Sequence, residues 1–261
     1  MAIQRDDDLE GKVALISGGA SGIGQALAVA YARAGAHSVV NYFPGDPHDA
    51  QETVSQVESV GGKCIAIAAD VRDASDCDAL AQAAIDEFGR LDIAVAAAGI
   101  LRRNALEELT DEAWEDMLDV DLTGVMRIFR AAATHMTSGG AMVATSSIAG
   151  GVYGWEEHAH YAAAKSGVLG LCRSLAVELA PRGIRVNSVI PGLIRSPQSM
   201  DEENSLGDEG LNAAGNIIPW GRVGTVDEAA RTIRFLTSRD SAYVTGQQLV
   251  VDGGLTVRWP S

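Results

Sequence analysis

The chain has 261 residues, of which 47% are hydrophobic and 21% charged, a balance that suits a packed core and argues against disorder. Its formal net charge of −15 opposes nucleic acid or an anionic membrane as a partner, because both call for clustered Lys and Arg to displace counterions. No apolar run is long enough to span a bilayer, the start Met1-Ala-Ile-Gln-Arg-Asp-Asp-Asp lacks a secretory core, and Cys64, Cys77 and Cys172 are scattered without a zinc or disulfide spacing, so a soluble cytoplasmic protein is expected.

After a polar tail over residues 1–8, short β-branched or apolar runs alternate with segments of helical length. The strand-like runs are Val13 to Ser17, Ser38 to Phe43, Cys64 to Ala69, Leu91 to Ala97, Ala141 to Ser146, Ile184 to Ile190 and Gln248 to Val251. Helical stretches between them include Gly22 to Ala34, Asp76 to Phe88 and Trp114 to His135. Near-continuous apolar strands mark a parallel sheet covered on both faces, so the spacing predicts an α/β, doubly wound (Rossmann) domain of seven parallel strands over residues 9–261. Residues 195–224, rich in Asp, Glu, Asn and Gly, break the rhythm and are read as a lid or binding loop.

The first predicted strand runs directly into Ser17-Gly18-Gly19-Ala20-Ser21-Gly22-Ile23-Gly24 and then a helix. Glycines there permit a tight turn and let backbone N–H groups at the helix start approach a pyrophosphate, which makes Gly18, Ser21, Gly22, Ile23 and Gly24 candidate dinucleotide contacts. The end of the second strand, Asn41-Tyr42-Phe43, carries neither the acid that binds the ribose 2′-OH of NAD nor the base that accommodates the 2′-phosphate of NADP. Asp46 and Asp49 follow and no base is near, which tilts the reading toward NAD, while Asn41 and the Tyr42 hydroxyl remain possible phosphate partners.

Farther on, Tyr161-Ala-Ala-Ala-Lys165 places a phenol and an ammonium one helical turn apart on one face. An ammonium so placed favours the phenolate, which suits the Tyr to proton transfer. His158 and His160 lie beside this pair without acidic partners at metal-ligand spacing, and no catalytic metal is expected.

Taken together, the glycine loop, Asp70-Val71 after the third strand, Ser146-Ser147-Ile-Ala-Gly, Tyr161-x-x-x-Lys165, Pro191-Gly192 and the closing Val251-Asp-Gly-Gly254 resemble the short-chain dehydrogenase/reductase family from about Leu9 to Leu255. The resemblance implies hydride transfer between a nicotinamide ring and an alcohol or carbonyl carbon, with NAD or NADP as cofactor. It makes Tyr161 the general acid/base, Lys165 the group that lowers its pKa and binds the nicotinamide ribose, and Ser147 the residue that orients the substrate oxygen. It also assigns Asp70 and Val71 to the adenine, Ala98 and Gly99 to the floor under the adenosine ribose, and Ile194 and Ser196, after Pro191-Gly192, to the carboxamide.

Two positions depart from the family pattern. Ala96-Ala97-Ala98-Gly99 stands where Asn-Asn-Ala-Gly is usual, and Asp121 stands where an Asn usually completes the catalytic tetrad through its main-chain carbonyl at a helix bend. The second half, including Ile218-Pro-Trp-Gly-Arg-Val223, is similar to sugar-dehydrogenase-like members, and the polar residues of Tyr153 to His160 and Arg195 to Trp220 suit a sugar- or polyol-like substrate. The family resemblance further implies a homo-oligomer, a tetramer or dimer built on the helices at Trp114 to His135 and Tyr161 to Ala180. An NADPH-linked carbonyl reductase is the alternative reading, and a nucleotide-binding regulator that has lost the chemistry is a third, disfavoured because both Tyr161 and Lys165 are present.

Overall fold

The computed structural model describes residues 9–137 and 139–258; the tail assigned to residues 1–8 lies outside them. Seven strands form one sheet: β1 (Val13–Ser17), β2 (His37–Tyr42), β3 (Cys64–Ala68), β4 (Ile93–Ala96), β5 (Gly140–Thr145), β6 (Ile184–Pro191) and β9 (Gln248–Val251). Their order is β3-β2-β1-β4-β5-β6-β9 and every neighbouring pair is parallel. Among the described residues ten α-helices accompany them: α1 (Gly22–Arg33), α2 (Ala50–Ser59), α3 (Ala74–Phe88), α4 (Asp111–Leu118), α5 (Gly124–His135), a kinked α6 (Ile148–Gly151), α7 (Ala159–Leu179), α8 (Pro197–Met200), α9 (Gly207–Ala214) and α10 (Val226–Thr237). A two-residue ladder between β7 (Ile194–Arg195) and β8 (Gly224–Thr225) closes the base of the segment carrying α8 and α9.

The strands are buried on both faces because their side chains alternate between two apolar layers. Val13 and Leu15 of β1 pack with Leu80 of α3, Phe129 of α5 and Val168 of α7. Ala14 and Ile16 point the other way, against Leu27 and Tyr31 of α1 and Ile233 of α10. The strand order reverses between β1 and β4, and a doubly wound sheet opens a crevice at that switch point, beyond the carboxyl ends of its strands.

Helix starts differ in a way that matters for the crevice. Asp49, Asp73, Thr110 and Thr225 cap α2, α3, α4 and α10 with their own side-chain oxygens. By contrast α1 begins at Ser21, which makes no side-chain cap bond, and its first turn carries no acidic residue. Its leading N–H groups and the positive end of its dipole are thus left for something else.

One predicted element is divided. Trp114 to His135, read as a single helix, is α4, a π-helical turn over Asp119–Thr123, and α5. The Gly124 N–H reaches back five residues to the Asp119 carbonyl, the wide hydrogen bond of a π turn. Apolar spacing alone cannot reveal such a turn, since residues on both sides keep a buried face.

Candidate active site

Tyr161 and Lys165 fall in the first two turns of α7, where four-residue spacing stacks them on one buried face. The Lys165 Nζ lies 5.6 Å from the centre of the Tyr161 ring. Ser147 leads out of β5 into α6, and its Oγ accepts a hydrogen bond from the Ala149 N–H at 3.1 Å, which fixes the hydroxyl at the strand end. The preceding Ser146 is a brace: its buried Oγ donates to the Lys165 carbonyl at 2.7 Å and ties β5 to α7.

Asp121, fully buried in the π turn, meets this group directly. Its Oδ1 accepts from the Ile100 N–H at 2.8 Å, and its Oδ2 lies 3.1 Å from the Lys165 Nζ. The same ammonium donates to the Thr145 carbonyl at 3.2 Å. Gly99 makes room for the pair, because a Cβ there would stand 3.2 Å from Oδ2 and 3.3 Å from Nζ. The helix bend expected around Asp121 is therefore present as a π turn, and the carboxylate adds a contact to Lys165 that an amide N–H could not make.

Burial pushes the Tyr161 phenol above its ordinary value; the Lys165 ammonium pulls it back, and the Asp121 charge pushes it up again. For Lys165, burial disfavours the ammonium, yet the Asp121 carboxylate and the charge on Tyr161 together outweigh that and the group is held above its usual range. Burial likewise raises Asp121, against the pull of Lys165 and the Ile100 N–H. The Ile100 N–H donates to Oδ1 and the Lys165 ammonium lies at ion-pair distance from Oδ2, which makes no hydrogen bond, so the arrangement accommodates an ion pair. His160, next to Tyr161, is fully buried with neither ring nitrogen hydrogen-bonded, and burial holds its pKa down, so it stands neutral.

Tyr161, Lys165 and Ser147 open onto a cavity of about 670 Å³ that reaches the glycine loop. Gly18, Ser21, Gly22, Ile23, Gly24, Ala98, Gly99, Pro191, Gly192, Ile194 and Ser196 all line it, as expected from their motifs. Two glycines are required by close approach: a Cβ on Gly18 would meet the Ala98 Cα at 2.6 Å, and one on Gly24 would meet the Gly18 carbonyl oxygen at 2.1 Å. With the uncapped start of α1 facing the same space, the residues fit a dinucleotide pyrophosphate.

Four expected contacts do not line this cavity. The Asn41 side chain is engaged with the backbone: its Oδ1 accepts from the Gly18 N–H at 2.7 Å and its Nδ2 donates to the Ala69 carbonyl at 2.8 Å. It braces the glycine loop against the end of β3. Tyr42, Asp70 and Val71 also lie outside the lining, and the Asp70 carboxylate is gripped by the Arg72 guanidinium at 2.8 to 3.1 Å.

The substrate side also differs from expectation. Among the described residues the charged side chains lining the cavity are Lys165 and Asp46. The acidic residues of the 195–224 segment face away: Glu202, Glu203, Asp208 and Glu209 are exposed, and Arg195 pairs with Asp208. Inward stand Leu206, Ala213, Ala214 and Ile217, opposite Leu101 and Trp155. The charged residues belong to the outer face of the segment, while the wall mixes these apolar side chains with the uncharged polar Gln198, Ser199 and Ser205. These wall residues, with the Thr145 carbonyl, escaped the motif reading, although Leu206, Gly210, Ala213 and Ile217 recur at helical spacing.

A latch joins this segment to the start of α7. The His158 Nε2 lies 3.1 Å from the Asn204 carbonyl oxygen and its Nδ1 2.6 Å from that of Glu156. The ring stacks on Trp155, centroids 4.0 Å apart. Asn204 Oδ1 in turn accepts from the Arg103 N–H at 3.3 Å.

Comparison with known proteins agrees with this geometry. A family model described as "Enoyl-(Acyl carrier protein) reductase" matches residues 18–256. The chain is 36% identical to a 3-oxoacyl-[acyl-carrier-protein] reductase of Thermotoga maritima, covering 95% of this chain and 99% of that protein. It is 38% identical to 3beta-hydroxysteroid dehydrogenase 1 of Eggerthella lenta, covering 96% of each. Its fold matches a crystal structure of carveol dehydrogenase from Mycobacterium avium in complex with NAD, with a TM-score of 0.89, 33% identity, and 95% and 99% of the two chains covered. The chain belongs to the short-chain dehydrogenase/reductase family and is an NAD(P)-dependent alcohol dehydrogenase or ketone reductase.

Proposed function

We propose that this enzyme interconverts a bulky, largely apolar secondary alcohol and its ketone with NAD. The observation that carries the reading is the lining of the cavity: apolar walls from Leu101, Trp155, Leu206, Ala213, Ala214 and Ile217 around the Ser147 and Tyr161 hydroxyls. A sugar or polyol would leave hydroxyls facing carbon along these walls, which lose water there without a replacement hydrogen bond. Relatives named for acting on a hydroxysteroid and on carveol are in keeping with an apolar ring as substrate.

For the cofactor, Asp46 is the charged side chain on the nucleotide side of the cavity, and among the described residues no Lys or Arg lines it there. A 2′-phosphate would meet a carboxylate and no cation, which supports NAD over NADP. The NAD complex of the carveol dehydrogenase is in keeping with this. The nucleotide would lie along the loop Gly18 to Gly24, over Ala98 and Gly99, and reach Pro191, Gly192, Ile194 and Ser196 with its carboxamide; an adenine at Asp70 and Val71 would extend past the cavity lining. When bound, it supplies or accepts the hydride.

The chain's own residues handle the proton. In reduction the Tyr161 hydroxyl gives its proton to the carbonyl oxygen while Ser147 donates a hydrogen bond to that oxygen. The carbonyl carbon gains a hydride, the oxygen gains a proton, and Tyr161 is left as a phenolate beside the Lys165 ammonium. In oxidation the phenolate takes the hydroxyl proton back. The same machinery run as an NADPH-linked carbonyl reductase draws support from the 3-oxoacyl reductase relatives and is opposed by Asp46.

The test is turnover on cyclic terpenoid or steroid alcohols and ketones beside polyols and sugars, with NAD(H) and NADP(H) in parallel. The expected result is NAD-linked turnover on the apolar set that falls by roughly 10²- to 10⁴-fold in Tyr161→Phe. Preference for the polyols would overturn the substrate assignment, and preference for NADPH the cofactor assignment.

A further inference from the structure

The buried contact between Asp121 and Lys165 changes the electrostatics of proton transfer. In this site the phenol has one cationic neighbour, and that cation is itself 3.1 Å from a carboxylate oxygen. Both partners of the pair are almost wholly shielded, with side chains 0% and 6% exposed, so solvent screens their interaction little. An ammonium with a counter-ion at contact distance presents little net charge to a third group nearby.

We propose that the Asp121 carboxylate is the standing counter-ion of Lys165 and that, by cancelling the ammonium's charge beside the phenol, it keeps Tyr161 protonated at neutral pH, so that the site works there as a general acid on ketones and turns to alcohol oxidation in alkaline solution. This rests on the proposed hydride-transfer reading and adds to it the condition that sets the direction of proton transfer. Asp121 acts through Lys165 and is a positioning residue.

The surroundings leave the pair to itself. From α4, Asp116 faces Asp121 but is tied to the Arg72 guanidinium at 2.8 Å. From α7, His160 is buried and neutral, and His158 is turned toward the carbonyls of Glu156 and Asn204. From the end of β5 and from the loop after β4 come the Thr145 carbonyl and the Ile100 N–H, which hold Nζ and Oδ1 in place and carry no charge. Gly99 contributes only space.

Asp121→Asn separates charge from shape, since an amide keeps the acceptor for the Ile100 N–H while removing the counter-ion. Its profile of oxidation rate against pH, at saturating NAD, is expected to move about one pH unit toward acid, raising oxidation at neutral pH about 10-fold, and the reduction profile moves the same way. A midpoint that stays put, or moves toward alkali, overturns the proposal. Titration of tyrosinate absorbance, taken as the difference from Tyr161→Phe, reads the phenol without any substrate. It is run on wild type, Asp121→Asn and Asp121→Ser, so one well-folded variant suffices, and the expected result is a lower Tyr161 midpoint in the variants. If no alcohol or ketone turns over, the functional reading fails while this titration still decides the role of Asp121.

Discussion

Asn41 shows how one side chain can carry two incompatible readings. At the end of a second strand, Asn is equally able to bind a phosphate or to stitch backbone to backbone, and the linear sequence does not say where its neighbours lie. The fold shows the second role, bringing the Gly18 N–H and the Ala69 carbonyl within 2.7 and 2.8 Å of the amide. Asn41→Ala leaves both groups without their partner in a dry environment, and a loss of about 2 kcal/mol in urea unfolding is expected. Asn41→Asp should fare no better, because a carboxylate cannot donate to the Ala69 carbonyl. The trio proposed to be catalytic was legible for the opposite reason: Tyr161 and Lys165 carry their geometry in their spacing, and Ser147 is marked by its place in an ordered set of motifs. Asp121 was legible as a departure, but its contact with Lys165 depends on a π turn that apolar spacing does not encode.

At the scale of elements, the strands and most helices could be read because apolar periodicity reports burial directly. The seven strand-like runs match the observed strands to within about two residues at each end, the usual uncertainty of element boundaries. The segment over residues 195–224 was readable as an interruption and not as a wall. Its charges dominate the composition, whereas the small residues that face the cavity give a weak apolar signal. Since His158 and Asn204 join this segment to the start of α7, loosening them should act on substrate capture more than on the chemical step. His158→Ala is expected to raise KM for the alcohol about 5-fold, with kcat and NAD affinity changed less than 2-fold. Steady-state kinetics with NAD binding measured separately checks this, and an unchanged KM would mean the latch does not restrain the wall.

For the whole molecule, the alternation of strands and helices announced the doubly wound sheet, and the reversal between β1 and β4 accounts for the cleft lying where it does. What no local pattern announces is how the stability of the fold depends on its ligand. The helices α2, α3, α4 and α10 bring their own oxygen to their first turn, and α1 does not. A dinucleotide pyrophosphate seated there would finish α1 as a capping side chain finishes its neighbours, so the cofactor is also a missing structural part. At NAD concentrations 100 times its dissociation constant, unfolding should become harder by about 2.7 kcal/mol, seen as a rise in melting temperature that continues with the logarithm of ligand concentration. ADP-ribose, which has the pyrophosphate and lacks the nicotinamide, should give much of that rise, whereas nicotinamide mononucleotide should give little. In a cell, the lifetime of this chain would then follow the supply of its coenzyme, with the empty form the first to reach the proteases.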